Sequence, residues 1–240
     1  MGIPVKANLP VGYSMQSHTG PFEPAFTFPQ TKRSLTFDPL SLFRPSIWRD
    51  YLKRGTGLLA LPPSYEGMAF GKTGYNNASW PDYQIYLLSS HLGTDATAVY
   101  AQVQNINLEQ VRKVGGIVQG KECTKRIVWL QRLRWRKSYL KPGYTIATDV
   151  LHPKSRGRIS LYSRDINDQP KIEPNYFSHP DDVRDAVFGA QLALRIGLAP
   201  PFKKHGAKVY DQPSPRCKHL RLFSDAYWAC IIRDVWIHVY

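Results

Sequence analysis

The chain holds no run approaching the roughly 20 apolar residues that cross a bilayer. Its opening, Met1 to Pro10, lacks the apolar core of a signal peptide. Cysteine is scarce: Cys123, Cys217 and Cys230 are the three in 240 residues, and none forms a C-x-x-C pair, so neither a zinc module nor a disulfide framework is indicated. Seven histidines, His18, His91, His152, His179, His205, His219 and His238, show no H-x-x-x-H or H-E-x-x-H spacing, which suggests no metal site. There is no G-x-S-x-G elbow, no internal repeat, and no cysteine in a motif that would activate it. Acid is in short supply as well, with 18 Asp and Glu against 32 Lys and Arg, for a net charge of +14.

What is present is enough for a fold. Hydrophobic residues make up 42% of the chain and can supply a substantial core, while 19 prolines and 17 glycines scattered without period describe many loops between short elements. The positive surplus is local. Ten cations between Arg112 and Lys141 face the single Glu122, a balance of +9. Within it, Lys125 to Lys137 interleaves cations with Trp129 and Trp135, a pattern that can grip phosphates and stack on unpaired bases. No RNP, KH or helix-turn-helix pattern accompanies it, so the plainer reading is a surface element with Leu133 and Trp135 turned inward.

RGTGLLA, Arg54 to Ala60, matches the glycine spacing of a dinucleotide loop. That fingerprint needs a strand before the glycines and a helix after them. Here Ile47, Tyr51 and Leu52 lie at helical spacing ahead of Gly55, and Pro62-Pro63 follow where the second helix would run, so the loop reads as the C-cap of a helix ending at Arg54.

Phe22 to Pro29 reads as an extended run between prolines, and Asp82 to Leu88 as a buried strand. Tyr144 to Leu151 and Gly157 to Ser163 alternate apolar and polar residues, and the link from His152 to Gly157 suggests that they pair antiparallel. A helix follows Ser178-His179-Pro180-Asp181-Asp182, with Ser178 as cap and the two acids at the positive end of the dipole. Its stripe is Val183, Val187, Ala190, Leu194 and Leu198, stopped by Gly197 and Pro200-Pro201. A second helix starts at Ser224-Asp225 with Trp228, Ile231 and Val235 on one face. Strands in runs with interspersed helices imply an α+β domain, an antiparallel or mixed sheet backed by helices.

Several segments in order resemble the FAD-dependent glucose-methanol-choline (GMC) oxidoreductases, in particular their glucose dehydrogenase-like branch. LPVGYSMQSH (residues 9–18) is similar to the family's LPVGxNLQDH, GTGLLA (55–60) to GxGPLA, and PKSRGRISL (153–161) matches directly. PNYF (174–177) with Pro180-Asp181-Asp182, and CKHL (217–220) with Phe223-Ser224-Asp225, match the motifs that follow. The sequence departs from the pattern at Ser14, Ser17, Leu58 and His152.

The resemblance implies the family's substrate-side domain over 1–240, with a motif-bearing block at about 144–240 and a variable basic segment at 112–141. It implies FAD as cofactor and a reaction in which a base takes the hydroxyl proton of an alcohol or sugar while hydride moves to the flavin. It also implies that the flavin's glycine fingerprint lies upstream of Met1. The pattern around Cys230 and Arg233 ends in Tyr240, which the family's catalytic histidine would follow, so no catalytic or cofactor-binding residue is assigned. Tyr240 and Arg233 are the candidates nearest the substrate. A chain of this content is expected to be inactive alone. The competing readings are a basic module binding nucleic acid or another polyanion through 112–141, and a nonfunctional remnant.

Overall fold

A computed structural model describes most of residues 4–89 and 142–237, and the basic segment 112–141 lies outside the described residues. Among the described residues the strands are β1 (Ala25–Thr27), β2 (Tyr65–Gly71), β3 (Tyr83–Leu88), β4 (Gly143–Val150), β5 (Arg158–Ser160), β6 (Lys171–Glu173) and β7 (Lys208–Val209). The α-helices among the described residues are α1 (Pro45–Arg54), α2 (Pro180–Gly197), α3 (Pro200–Lys203) and α4 (Asp225–Ile237). The main sheet has the order β2-β3-β4-β1-β7 with antiparallel pairing throughout, and β5 with β6 forms a separate two-stranded sheet.

β4 is the central strand, and its alternation sets the two sides of the sheet. Tyr144 and Ile146 face α2 and pack with Phe26, Phe28 and Ala193. Phe26 and Phe202 stack on the Tyr144 ring, at centroid separations of 4.9 and 4.7 Å. Further along, Val150 joins Val183, Ala186, Phe177 and Ile232. α2 lies close because Gly189 has no side chain: a Cβ there would stand 2.6 Å from the Thr148 hydroxyl. These contacts require small residues on the buried stripe of α2, and Ala186, Gly189, Ala190, Ala193 and Gly197 supply them.

Two local expectations are corrected. The residue capping α2 is His179, not Ser178: His179 Nδ1 accepts from the Asp181 amide at 3.2 Å and has extended backbone. The segment 157–163 does not pair with β4. β4 is already flanked by β1 and β3, so β5 pairs with β6 instead, Ile159 opposite Ile172.

A third correction concerns the cysteines. Cys217 and Cys230 are joined by a disulfide, with Cα atoms 6.0 Å apart, tying the segment before α4 to the helix itself. The two stand 13 positions apart in sequence, a spacing that carries no motif; only the fold of 217–230 around Tyr227 and Trp228 brings them together.

α1 ends as its sequence implies. Gly55 adopts φ 61°, and its amide donates to the carbonyls of Asp50 and Tyr51, the left-handed C-cap that glycine favours.

Candidate functional site

Three segments far apart in the chain meet at the end of β4. Met15 and Gly157 exchange backbone hydrogen bonds at 3.2 and 2.9 Å, Thr19 and Val150 do the same, and the Ile159 amide donates to Gly12 O at 2.7 Å. The 9–18 segment is thus laid along 153–159. On the other side, Asp182, in the first turn of α2 and only 2% exposed, accepts from the Lys154 amide at 2.7 Å. It also accepts from the Ser155 amide at 2.8 Å and from the Ser155 hydroxyl at 2.5 Å. Ser155 Oγ in turn accepts from the His179 amide at 3.0 Å. Asp181 has a different task. It is half-exposed and pairs with Lys154 and Arg184, which hold its carboxyl below the usual range, the Lys154 hydrogen bond contributing most. The helix dipole alone accounts for neither acid.

The sheet side away from α2 follows from register. Gln84 and Tyr86 on β3 stand beside Phe70 and Met68 on β2 and opposite Asp149 and Ala147 on β4. Gln84 Nε2 donates to Met68 Sδ at 2.8 Å. Asp149 is partly buried; burial pushes its carboxyl above the ordinary range, while a hydrogen bond from Tyr86 and the nearby His18 act in the opposite sense. A Cβ at Gly20 would run into that carboxylate and into Thr148 O, so only glycine lets residues 18–20 pass this close. This face combines exposed apolar Met68 and Phe70 with Gln84, Tyr86 and Asp149, a wall able to orient a small polar molecule. Sequence reading missed it. The available signal was one acid, Asp149, in a strand otherwise built of Tyr144, Ile146, Ala147 and Val150.

The two residues singled out from the sequence are not brought to this wall. Arg233 lies on α4 and is exposed, one residue after the buried Ile232; Tyr240 lies outside the described residues. α4 itself is held to α2 by Gln191, whose amide donates to Phe223 O and to Asp225, both at 2.8 Å, and by the packing of Trp228, Tyr227 and Ala190.

The glycine loop 55–57 does not fit the pyrophosphate of a flavin dinucleotide. It caps the C-terminus of α1, where helix carbonyls and the negative end of the dipole face outward, and such an end repels an anion. Among the described residues no cluster of His, Cys, Asp and Glu could hold a metal ion, and no helix is long and apolar enough to cross a membrane.

Residues 153–240 match the family model described as GMC oxidoreductase. This segment is a GMC oxidoreductase domain. It begins at Pro153, so the Lys154–Ser155 clasp to Asp182, α2, the disulfide and α4 all lie inside it. Glucose dehydrogenase [FAD, quinone] from Drosophila pseudoobscura pseudoobscura is 39% identical over 85 residues, which are 35% of this chain and 14% of that protein. The Drosophila melanogaster protein named Neither inactivation nor afterpotential protein G is 22% identical over 254 aligned residues, covering 98% of this chain and 38% of that protein. Among solved structures, formate oxidase from Aspergillus oryzae superposes with a TM-score of 0.56 at 17% identity, over 95% of this chain and 36% of that one. The α+β fold outside the GMC segment is therefore shared too. The chain spans well under half the length of the relatives it matches.

Proposed function

We propose that the chain is the substrate-side part of a GMC-type flavoenzyme that oxidises the CH–OH group of an alcohol or sugar, with FAD held by residues other than those described. The observation that supports this most is the match of residues 153–240 to the GMC family, in a segment joined by Asp182 and Val150 to a sheet that α2 covers on one side. On this reading the side away from α2 faces the substrate. Met68 and Phe70 offer it apolar surface, and Gln84, Tyr86 and Asp149 offer hydrogen-bonding groups. By the family resemblance alone, Arg233 and Tyr240 are the residues assigned nearest the reacting centre.

The test is a chimera in which residues 153–240 replace the matching segment of the fly glucose dehydrogenase. Dye-linked oxidation of an alcohol or sugar by the flavin-loaded chimera is the expected result, with Arg233→Ala lowering kcat/KM by about tenfold. A folded chimera that holds flavin but oxidises no CH–OH donor overturns the reading. The 240-residue chain by itself is expected to purify colourless and to turn over no alcohol; a flavin spectrum that copurifies with it would contradict that part.

A further inference from the structure

The stretch leading into β5 carries two arginines that no described acid neutralises. Lys154, Arg156 and Arg158 are exposed while Pro153, Ser155 and Gly157 are buried, so the three cations share one side of an extended backbone. That backbone is pinned at nearly every residue. The amides of Lys154 and Ser155 donate to Asp182, and Arg156 O accepts from Asn175 Nδ2 at 3.1 Å. Gly157 exchanges hydrogen bonds with Met15, and the Ile159 amide donates to Gly12 O. A Cβ on Gly157 would stand 2.5 Å from Glu173 O, so the chain packs here against β6 with no room for a side chain.

The three cations differ in what they touch. Lys154 pairs with Asp181. Arg156 turns back on its own backbone: Nη1 donates to Pro153 O at 2.6 Å and to Ser155 O at 3.0 Å, which uses both hydrogens of that nitrogen and leaves the Nε–Nη2 edge open. Arg158 sits over the Tyr13 ring, its Cζ 4.6 Å from the centroid, a contact that holds the guanidinium without a hydrogen bond. Glu173, opposite Arg158 in the β5 and β6 pair, is engaged by Lys171 at 2.7 Å. Among the described residues neither arginine forms an ion pair.

We propose that Arg156 and Arg158 form a binding site for a tetrahedral oxyanion, the phosphate or sulfate group of a small ester. The open edge of each guanidinium presents two N–H donors in the fork geometry that matches two oxygens of such a group. Two residues apart on an extended chain, their Cα atoms are about 6.8 Å from each other, a separation that two long side chains close over a single anion. A phosphate group brings three acceptor oxygens to the two forks, and a sulfate ester the same number, where a carboxylate brings two. The pinned backbone, the Pro153 and Ser155 carbonyls and the Tyr13 ring order both side chains beforehand, which lowers the entropy cost of binding. The assignment stands apart from the oxidoreductase reading, since neither flavin nor alcohol enters it.

The experiment is a titration of the isotope-labelled 240-residue chain with inorganic phosphate, inorganic sulfate or acetate, followed through the NMR signals of the arginine Nε–Hε groups. Phosphate or sulfate is expected to shift two of these signals, assigned by their loss in Arg156→Lys and in Arg158→Lys, and acetate to leave both in place. A response to one dianion alone supports the site and names the ester that it takes. Affinity, read by calorimetry, should fall at least about tenfold in Arg156→Lys/Arg158→Lys, which keeps the charge and loses the forks. It should not change in Arg132→Ala/Arg134→Ala/Arg136→Ala, which thins the basic segment instead. Far-UV circular dichroism establishes that the variants are folded. Three results would each overturn the proposal. One is no shift of the two signals with either dianion; another is an equal response to acetate. The third is an affinity that Arg156→Lys/Arg158→Lys retains in full, which would place the attraction in general charge.

Discussion

Asp182 accepts two backbone amides and a hydroxyl at 2% exposure, so its removal would leave buried donors at Lys154 and Ser155 without partners. Asp182→Ala is therefore expected to cost about 3 kcal/mol in urea unfolding, well above the effect of Asp181→Ala, whose partners are exposed. Asp149 makes a pH signature of opposite kind. Burial raises its carboxyl above the ordinary value in the folded chain, so the folded state binds that proton more tightly than the unfolded one. Its contribution is full below the ordinary carboxylate pKa and is lost as pH rises through the raised folded value. The stability of Asp149→Asn, followed as a urea midpoint against pH, should decline less than that of the parent across this window. The role of neither acid was legible. The dipole is a sufficient reason for acids at the start of a helix, and it hid the partners of Asp182, which sit 27 and 28 residues away.

Elements were read more fully than residues, because their signals are local. α1 ends where Gly55 and the basic last turn indicate, and α2 runs from Pro180 to Gly197 with Val183 and Ala190 buried as the stripe requires. The partner of 157–163 was misread for a physical reason: a six-residue link permits a hairpin but cannot show that β4 is occupied on both edges. Likewise, spacing could not disclose the Cys217–Cys230 bond. Closing a loop of this size constrains the unfolded chain by about 3 kcal/mol in the chain-entropy account. Thermal unfolding with and without a thiol reductant should show a lower midpoint in the reduced protein by roughly that amount, and an unchanged midpoint would mean the bond adds nothing. α2 and α4 depend on this tie jointly, since Cys217 packs with Ala190 on one helix and Trp228 on the other.

At the scale of the molecule, the α+β class was legible from the succession of strands and helices, and the family from motifs such as PKSRGR and PNYF. The wall of Met68, Phe70, Gln84, Tyr86 and Asp149 was not, because it exists only once β2, β3 and β4 are in register. That same register has a consequence in time. β4 is the centre of the main sheet, yet among the described strands it follows β1, β2 and β3 in the chain, and β1 at Ala25–Thr27 must wait for its partner at Gly143–Thr145. At about 5–20 residues per second, the ribosome takes on the order of ten seconds to cross that interval. Through that interval β1 lacks its sheet partners β4 and β7, while among the described strands β2 and β3 have only each other, and an isolated hairpin is at best marginally stable in water. The sheet therefore closes late, around a strand whose neighbours are already waiting, and the nascent chain is most prone to aggregate before Val150 emerges.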